Sequence, residues 1–402
     1  RLYAIDRQDI WGDEAFSIWL SGQPLAQVVA GGADTHPPLY PLLLYLWLRL
    51  AGSSPLAVRF LSAFIGTLTV PLVYILGRCV LGWRTGLVAA LLAVVSPVLV
   101  YYSQETRMYG LVTLLAAASV YWTVRLYREP RSTSARVAYI LVTLAAVYSH
   151  YYAFFVVLAE NLFVCLALLL RRRWRVLGGW LATQAGLVLA YLPWIAVQSA
   201  FLGGKASTRF EEWDLSTALR IAGETLSTFG AGLAIPPTVS WVVAALFLIA
   251  AGVGLVALLR RRQWEPWLIV AYFLVPLFLA WLVNPIMPFF YPRYLLLIAP
   301  AFYLLVGWGV VALGHLWRPL AAVGVTVLLL ASAYGLRGYY ADETYVKGRY
   351  GQMMAYIESN AQPGDGLLLA NQLQRPIFEY YRPLELDARF FPGYEYVLED
   401  PR

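Results

Sequence analysis

Charge is scarce in this chain. Asp, Glu, Lys and Arg make up 13% of the 402 residues, against 60% hydrophobic and 15% aromatic. A soluble globule of this length needs far more polar surface, which excludes a water-exposed fold. Cysteine is scarcer still. Cys79 and Cys165 both lie in apolar runs without paired spacing, so neither a disulfide framework nor a thiolate metal site is expected. No Walker loop, HExxH, GxSxG or dinucleotide fingerprint occurs, and soluble nucleotide chemistry is not expected either. No signal-peptide pattern, internal repeat or low-complexity segment is visible.

What the chain does have is a succession of apolar runs long enough to cross a bilayer. They cover roughly residues 59–81, 86–103, 108–127, 136–150, 152–170, 178–198, 240–260, 265–283, 294–314 and 319–336, ten in all with two of them short. The expected class is an all-α polytopic membrane protein. The formal charge of +7 would suit nucleic acid, but the arginines sit in short loops such as "RRRWR" (171–175) and "RRR" (260–262). Cytoplasmic loops carry that excess, so orientation accounts for it.

Walking the chain with this rule places residues 1–58 outside, Arg78 and Arg84 inside, and "SQETR" outside. Arg125, Arg128, Arg131 and Arg136 then fall inside, "SHYY" outside and "RRRWR" inside. A loop at 199–239 comes out external, "RRR" internal, "NPIMPFFYPRY" (284–294) external, Arg318 internal and the tail external. The walk requires that "PPLYPLLLYLWLRLAG" (37–52) not span, since it falls short of the ~20 residues a span needs; an interfacial or re-entrant juxtamembrane helix is expected there. It also requires a helix before residue 1, giving about eleven spans.

The expected organisation is a membrane domain over residues 1–336, with an external catalytic loop at 1–58, followed by an external segment at 337–402. In that segment "YGQMMAYIESNAQPGDGLLLANQ" predicts an amphipathic helix, a turn and a short buried strand, the opening of a small α/β domain left incomplete. The localisation expected is a plasma membrane, crossed many times.

This topology gathers Asp13, Glu14, His36, Arg59, Glu105, Arg107, Tyr109, His150, Arg293 and Tyr294 at or near the external face. Asp13 and Glu14 lie among the interfacial anchors Ile10, Trp11, Phe16 and Trp19, where partial shielding raises a carboxylate's basicity. Asp13 could thus take a proton from an attacking hydroxyl, or it simply caps the helix "EAFSIWLSG". His36, before a rigid Pro-Pro, could bind phosphate or orient a carboxylate, or be structural; it lacks a companion at metal-ligand spacing. Glu105 and Arg107 share a turn too short to need both charges, with solvation and snorkelling as the alternative; Arg59, at the mouth of its span, has the same two interpretations. Arg293 is a cation kept on the external side between aromatics, which suits an anionic partner such as phosphate, or cation-π packing on Tyr291 or Tyr294. Glu160 is the one acid near a bilayer midplane: a functional candidate by position, or a helix contact beside Asn161.

With those residues in place, the order "WGDEAFS", "THPPLYPLL", "AVRFLSAFIGTLTVPLVYILGR", "YYSQETRMYGL", "SHYYA" and "YPRYLLLIAPAFYLLVG" resembles the protein O-mannosyltransferases and their bacterial relatives. The resemblance covers roughly residues 3–315 and implies a GT-C fold helical bundle. It implies inverting transfer of a sugar from a polyprenyl-phosphate donor, such as dolichyl-phosphate mannose, to a protein, lipid or glycan acceptor at the external face. Asp13 matches the family's proposed general base, Arg59 an arginine linked to donor binding, Glu105 a second acidic position, and Arg293 more loosely a phosphate contact. The large central domain of eukaryotic members has no counterpart, since the 199–239 loop is too short. Metal use varies across such enzymes, so a divalent cation is left open. The competing function is a transporter or flippase for a lipid-linked sugar or other solute; that class places its ionisable sites near the midplane, whereas here only Glu160 is deep.

Overall fold

The structure is a computed structural model that describes residues 1–30, 36–202, 214–261, 263–286, 290–342, 346–362, 365–369, 374–381 and 387–390. Thr35, Arg262 and residues 287–289 of the motifs quoted above, residues 203–213 of the expected loop and the C-terminal 391–402 lie outside the described residues.

Before the first long apolar run come three short helices, α1 (Gly12–Gly22), α2 (Leu25–Ala30) and α3 (Leu39–Ala51). The bundle continues with α4 (Pro55–Val80), α5 (Trp83–Val95), α6 (Pro97–Ser103), α7 (Tyr109–Arg128), α8 (Thr133–Val147), α9 (Ala153–Leu170) and α10 (Trp174–Leu202). After it come α11 (Leu215–Ala231), α12 (Pro237–Leu259), α13 (Glu265–Val283), a 3-10 turn (Pro292–Ile298) running into α14 (Ala299–Leu316), and α15 (Arg318–Ala341). The tail adds α16 (Tyr350–Asn360), β1 (Gly366–Leu369), α17 (Arg375–Tyr381) and β2 (Asp387–Phe390), the two strands pairing in parallel from Gly366–Asp387 to Leu369–Phe390.

Eight helices among the described residues are long and apolar enough to cross a membrane, and a ninth span forms if α5 and α6 count as one. Each of the ten apolar runs is helical, with three departures from expectation. The run at 86–103 is bent by 58° between α5 and α6. Pro97 cannot donate to the preceding turn, and Ser96 caps the new helix by accepting from Leu99 N at 3.2 Å. The run at 136–150 gives only the 15-residue α8, short for a straight crossing. And the expected loop at 199–239 contains α11, capped by Asp214 through Thr217 N at 2.8 Å. It buries Ile221, Thr225, Thr228 and Phe229 while the Arg220 and Glu224 side chains stay exposed, so it is amphipathic and a window tuned to continuous apolar runs passes over it.

The turn and α14 together form the most enclosed span, 89% buried over its apolar window, whereas that of α15 is 17% buried. Helix α14 therefore serves as the axis, and α12 approaches it closely: a Cβ on Gly309 would lie 1.7 Å from Ala250 O, and one on Gly254 2.3 Å from Leu305 O. Small residues let apolar helices meet backbone to backbone where lipid supplies no hydrophobic drive. Gly309→Ala is expected to cost about 1–3 kcal/mol by forcing these helices apart. The check is a lowered thermal unfolding midpoint of the detergent-purified protein; an unchanged midpoint would show that the contact can relax.

Candidate active site

The site is built at the start of α1. Trp11 is the N-cap and makes no side-chain capping bond, so Asp13 does not cap this helix; it and Glu14 both lie in the first turn. Acidic residues suit that end of a helix. Successive helical residues diverge by about 100°, so the two carboxylates face different surroundings. Glu14 is fully buried, while the Asp13 side chain keeps 34% of its exposure.

Glu14 is clamped by Arg59 of α4, which donates from Nε to Oε1 at 2.8 Å and from Nη2 to Oε2 at 2.6 Å. Arg59 also donates to Ile5 O (2.9 Å), Gln8 O (2.7 Å) and Asp9 O (2.9 Å). These five bonds match the five N–H donors of a guanidinium. Thr106 N adds a bond to Glu14 Oε1 at 2.9 Å, tying α1 to the 104–108 loop. Burial pushes the Glu14 carboxyl up, but the Arg59 hydrogen bonds, the Lys347 and Arg59 charges and the Thr106 N–H outweigh it and hold the group below the ordinary carboxylate range. Arg59 thus folds residues 5–14 around itself.

The same loop carries Glu105 and Arg107. Arg107 Nη1 donates to Ser17 Oγ on α1 at 3.1 Å, and Ser17 in turn donates to Asp13 O at 2.9 Å. Glu105 is fully buried 3.3 Å from Lys347 Nζ. Burial pushes its carboxyl up, opposed by Lys347 and reinforced by Glu14.

Asp13 faces Arg293, with Oδ2 3.3 Å from Nη1. Arg293 sits at the start of the turn leading into α14, an end where the helix dipole disfavours a cation, so an anionic neighbour there offsets a real cost. Its guanidinium also lies 4.6 Å from the Tyr291 ring centre, 5.7 Å from Tyr294 and 5.8 Å from Tyr109, so ion pairing and cation-π packing operate together. The aromatic wall continues through His150, 5.5 Å from Tyr294 and 6.0 Å from Tyr109, to His36, 5.2 Å from His150. Tyr152 N donates to His150 Nδ1 at 3.1 Å, so in the neutral ring the proton is on Nε2.

All ten residues singled out from the sequence therefore meet in one connected cluster, in two layers. Glu14, Arg59 and Glu105 form a buried layer of charge. Asp13, Arg293, Tyr294 and His36 form a more open layer beside it, backed by the buried Tyr109 and His150, and Arg107 joins the loop to α1. Among the described residues, no three His, Cys, Asp or Glu side chains are placed to hold a metal ion. Glu160 is apart from the cluster. It accepts from Ser119 of α7 at 2.7 Å and Tyr139 of α8 at 3.1 Å, while its neighbour Asn161 bonds Gln184 and Trp180 of α10. That is a helix contact of the kind expected for a buried polar group in a bundle.

Sequence reasoning missed Lys347, which lies outside the motifs. One signal could have found it: the chain has two lysines, Lys205 and Lys347, against 28 arginines. It also missed Tyr381, whose hydroxyl accepts from Ile10 N at 2.6 Å and donates to Ile10 O at 3.2 Å, so that α17 packs under the entry to α1.

Residues 35–196 match the family described as dolichyl-phosphate-mannose-protein mannosyltransferase. No curated protein matches the chain in sequence. Among solved structures, ArnT from Cupriavidus metallidurans bound to undecaprenyl phosphate is similar with a TM-score of 0.65 at 13% identity, over 96% of this chain and 83% of that one. Its apo state gives 0.62 at the same identity, over 96% and 82%. The archaeal oligosaccharyltransferase AglB from Archaeoglobus fulgidus, in complex with an inhibitory peptide and a dolichol-phosphate, gives 0.56 at 10% identity, over 95% of this chain and 61% of its own length. Residues 35–196 thus resemble the dolichyl-phosphate-mannose-protein mannosyltransferases, and the chain as a whole shares the fold of ArnT and AglB.

Proposed function

We propose that the protein takes a sugar from a polyprenyl-phosphate donor and transfers it, with inversion, to an acceptor hydroxyl, Asp13 acting as general base at the external membrane face. The observation that carries this is the Asp13–Arg293 pair: a partly exposed carboxylate facing a partly exposed guanidinium, 3.3 Å apart. The ring wall beside it is apolar and polar by turns, as a sugar's two faces require. The donor class is supported by the family match and by the undecaprenyl phosphate and dolichol-phosphate that the similar structures hold. The external side is supported by the arginine-rich loops, which the topology puts at the other end of the spans.

The acceptor oxygen attacks the anomeric carbon from the face opposite the phosphate. As the C–O bond forms, the anomeric carbon–phosphate oxygen bond breaks, and Asp13 receives the hydroxyl proton. The departing phosphate goes from a diester with one negative charge to a monoester with more, and Arg293 stabilises that developing charge. No general acid is needed, because phosphate is a competent leaving group. A single displacement inverts the anomeric configuration. Glu14 and Arg59 keep α1 in place, and His36, His150 and the tyrosines form the wall against which the sugar lies.

The test is to give the purified chain a panel of radiolabelled polyprenyl-phosphate sugars with candidate acceptors and to read both product and anomeric configuration. Retention of configuration would remove the single displacement; no turnover of any donor, with solute uptake into liposomes, would favour the transporter. Arg293→Lys keeps the charge but loses the guanidinium fork. It is expected to slow transfer about tenfold, equivalent to the ~1.5 kcal/mol of one charge-assisted hydrogen bond.

A further inference from the structure

One buried charge of this site has no part in the transfer step. Lys347 comes from the tail, yet its ammonium lies 3.3 Å from Glu105 Oε2, the two side chains being 4% and 1% exposed. It is also 4.4 Å from the Tyr101 ring centre and 5.8 Å from Trp11. Among the described residues, neither Lys347 Nζ nor either carboxylate oxygen of Glu105 makes a hydrogen bond. The pair is held by charge alone, and each group compensates the other's burial.

The backbone around the pair is fastened to α1 from two sides. Lys347 N donates to Gln8 Oε1 at 3.4 Å and Gly351 N to Asp9 Oδ2 at 2.8 Å, just before the helix. From the other side, the loop bearing Glu105 is bound to α1 through Thr106 to Glu14 and Arg107 to Ser17. Tyr339 of α15 donates to Gln104 Oε1 at 3.0 Å, at the start of that loop. The Lys347–Glu105 pair closes this circuit, since it links the tail directly to the loop.

We propose that Lys347 is a positioning residue of the transfer reaction: by pairing with Glu105 it fixes the 104–108 loop against α1 and so keeps Asp13 turned toward Arg293. The proposal rests on the glycosyl-transfer reading above. With Lys347 neutralised, Glu105 is left as a buried carboxylate without its cation, and it takes up a proton or draws the loop toward water. Burial already works against its ionised form. Either response moves the support under Asp13, and a displacement of about 1 Å at a catalytic group can cost on the order of a hundredfold in rate.

The experiment compares the full chain with Lys347→Met, Lys347→Arg and the double variant Lys347→Met/Glu105→Gln, using whichever polyprenyl-phosphate sugar the wild type turns over. Lys347→Met is expected to lower kcat about tenfold or more while KM for the donor stays within about twofold, because positioning of the base and not donor binding is lost. Lys347→Arg restores kcat to within about threefold of wild type. The double variant strands no charge, so it is no slower than Lys347→Met yet remains about tenfold below wild type. If Lys347→Met fails to elute as a single folded species, the double variant and Lys347→Arg carry the same comparison. A wild-type kcat in Lys347→Met or in the double variant, or an Lys347→Arg as slow as Lys347→Met, overturns the proposal. A wild type that transfers from no donor overturns the reading beneath it, which is a distinct result.

Discussion

Asp13→Asn is expected to slow transfer by about 10²- to 10⁴-fold, the usual contribution of a positioned general base. The substitution changes little else. Asn has the same size, and its amide oxygen can still accept from Arg293, so the loop that leads into α14 keeps its neighbour. The unfolding midpoint should stay near that of wild type and the KM for donor should change little, leaving the loss in kcat. Single-turnover rates with saturating donor give the number, free of product release. An undiminished rate would remove Asp13 as the base and turn attention to Glu105. Glu14 is not an equivalent alternative, since both its oxygens are engaged by Arg59 and Thr106.

Arg59→Met should have its effect on the fold and not on the chemistry. It removes five hydrogen bonds, strands three backbone carbonyls and leaves Glu14 buried without its cation. Breaking one side of a buried pair costs about 3–5 kcal/mol, enough to unfold the 1–22 region or the whole chain. The pH dependence should reverse as well. In the wild type Glu14 titrates below its ordinary 4.5, so its contribution is fully present above that pH and is lost as the pH falls through the lower folded value. Without Arg59, burial dominates and the carboxyl rises above its ordinary value, so stability falls as pH rises. The variant should then be more stable at about pH 5 than at about pH 8. Unfolding midpoints at the two pH values test this. If Arg59 instead bound the donor, as its place in the family pattern implies, the variant would weaken donor affinity and leave the midpoints unchanged.

The difference between these two adjacent acids was not legible in the sequence. "WGDEAFS" shows a paired carboxylate, but which member faces inward depends on helix phase and on where the helix starts, and both are set by Trp11 at the N-cap and by Arg59 beneath. The long helices were legible because an apolar run in lipid has one hydrogen-bonded solution. The bend at Ser96–Pro97 was hidden by the same averaging that found the run, since hydropathy does not register a missing N–H. Helix α11 was missed because its apolar face alternates with Arg220 and Glu224. That these ten residues gather was legible through topology, which brings distant loops to one end of the bundle. Lys347 was not, because its partner Glu105 lies far away in sequence and no spacing rule connects them.

The pairing of Asp13 with Arg293 also bears on how the protein is made. Glu14 and Arg59 leave the ribosome close together, so the inner clamp can form while most of the chain is still unwritten. Arg293 follows only when the central span is made, and Lys347 later still. At about 5–20 residues per second, translation of the 402 residues lasts roughly 20–80 s. For most of that interval Asp13 waits without the counter-ion it faces in the folded chain.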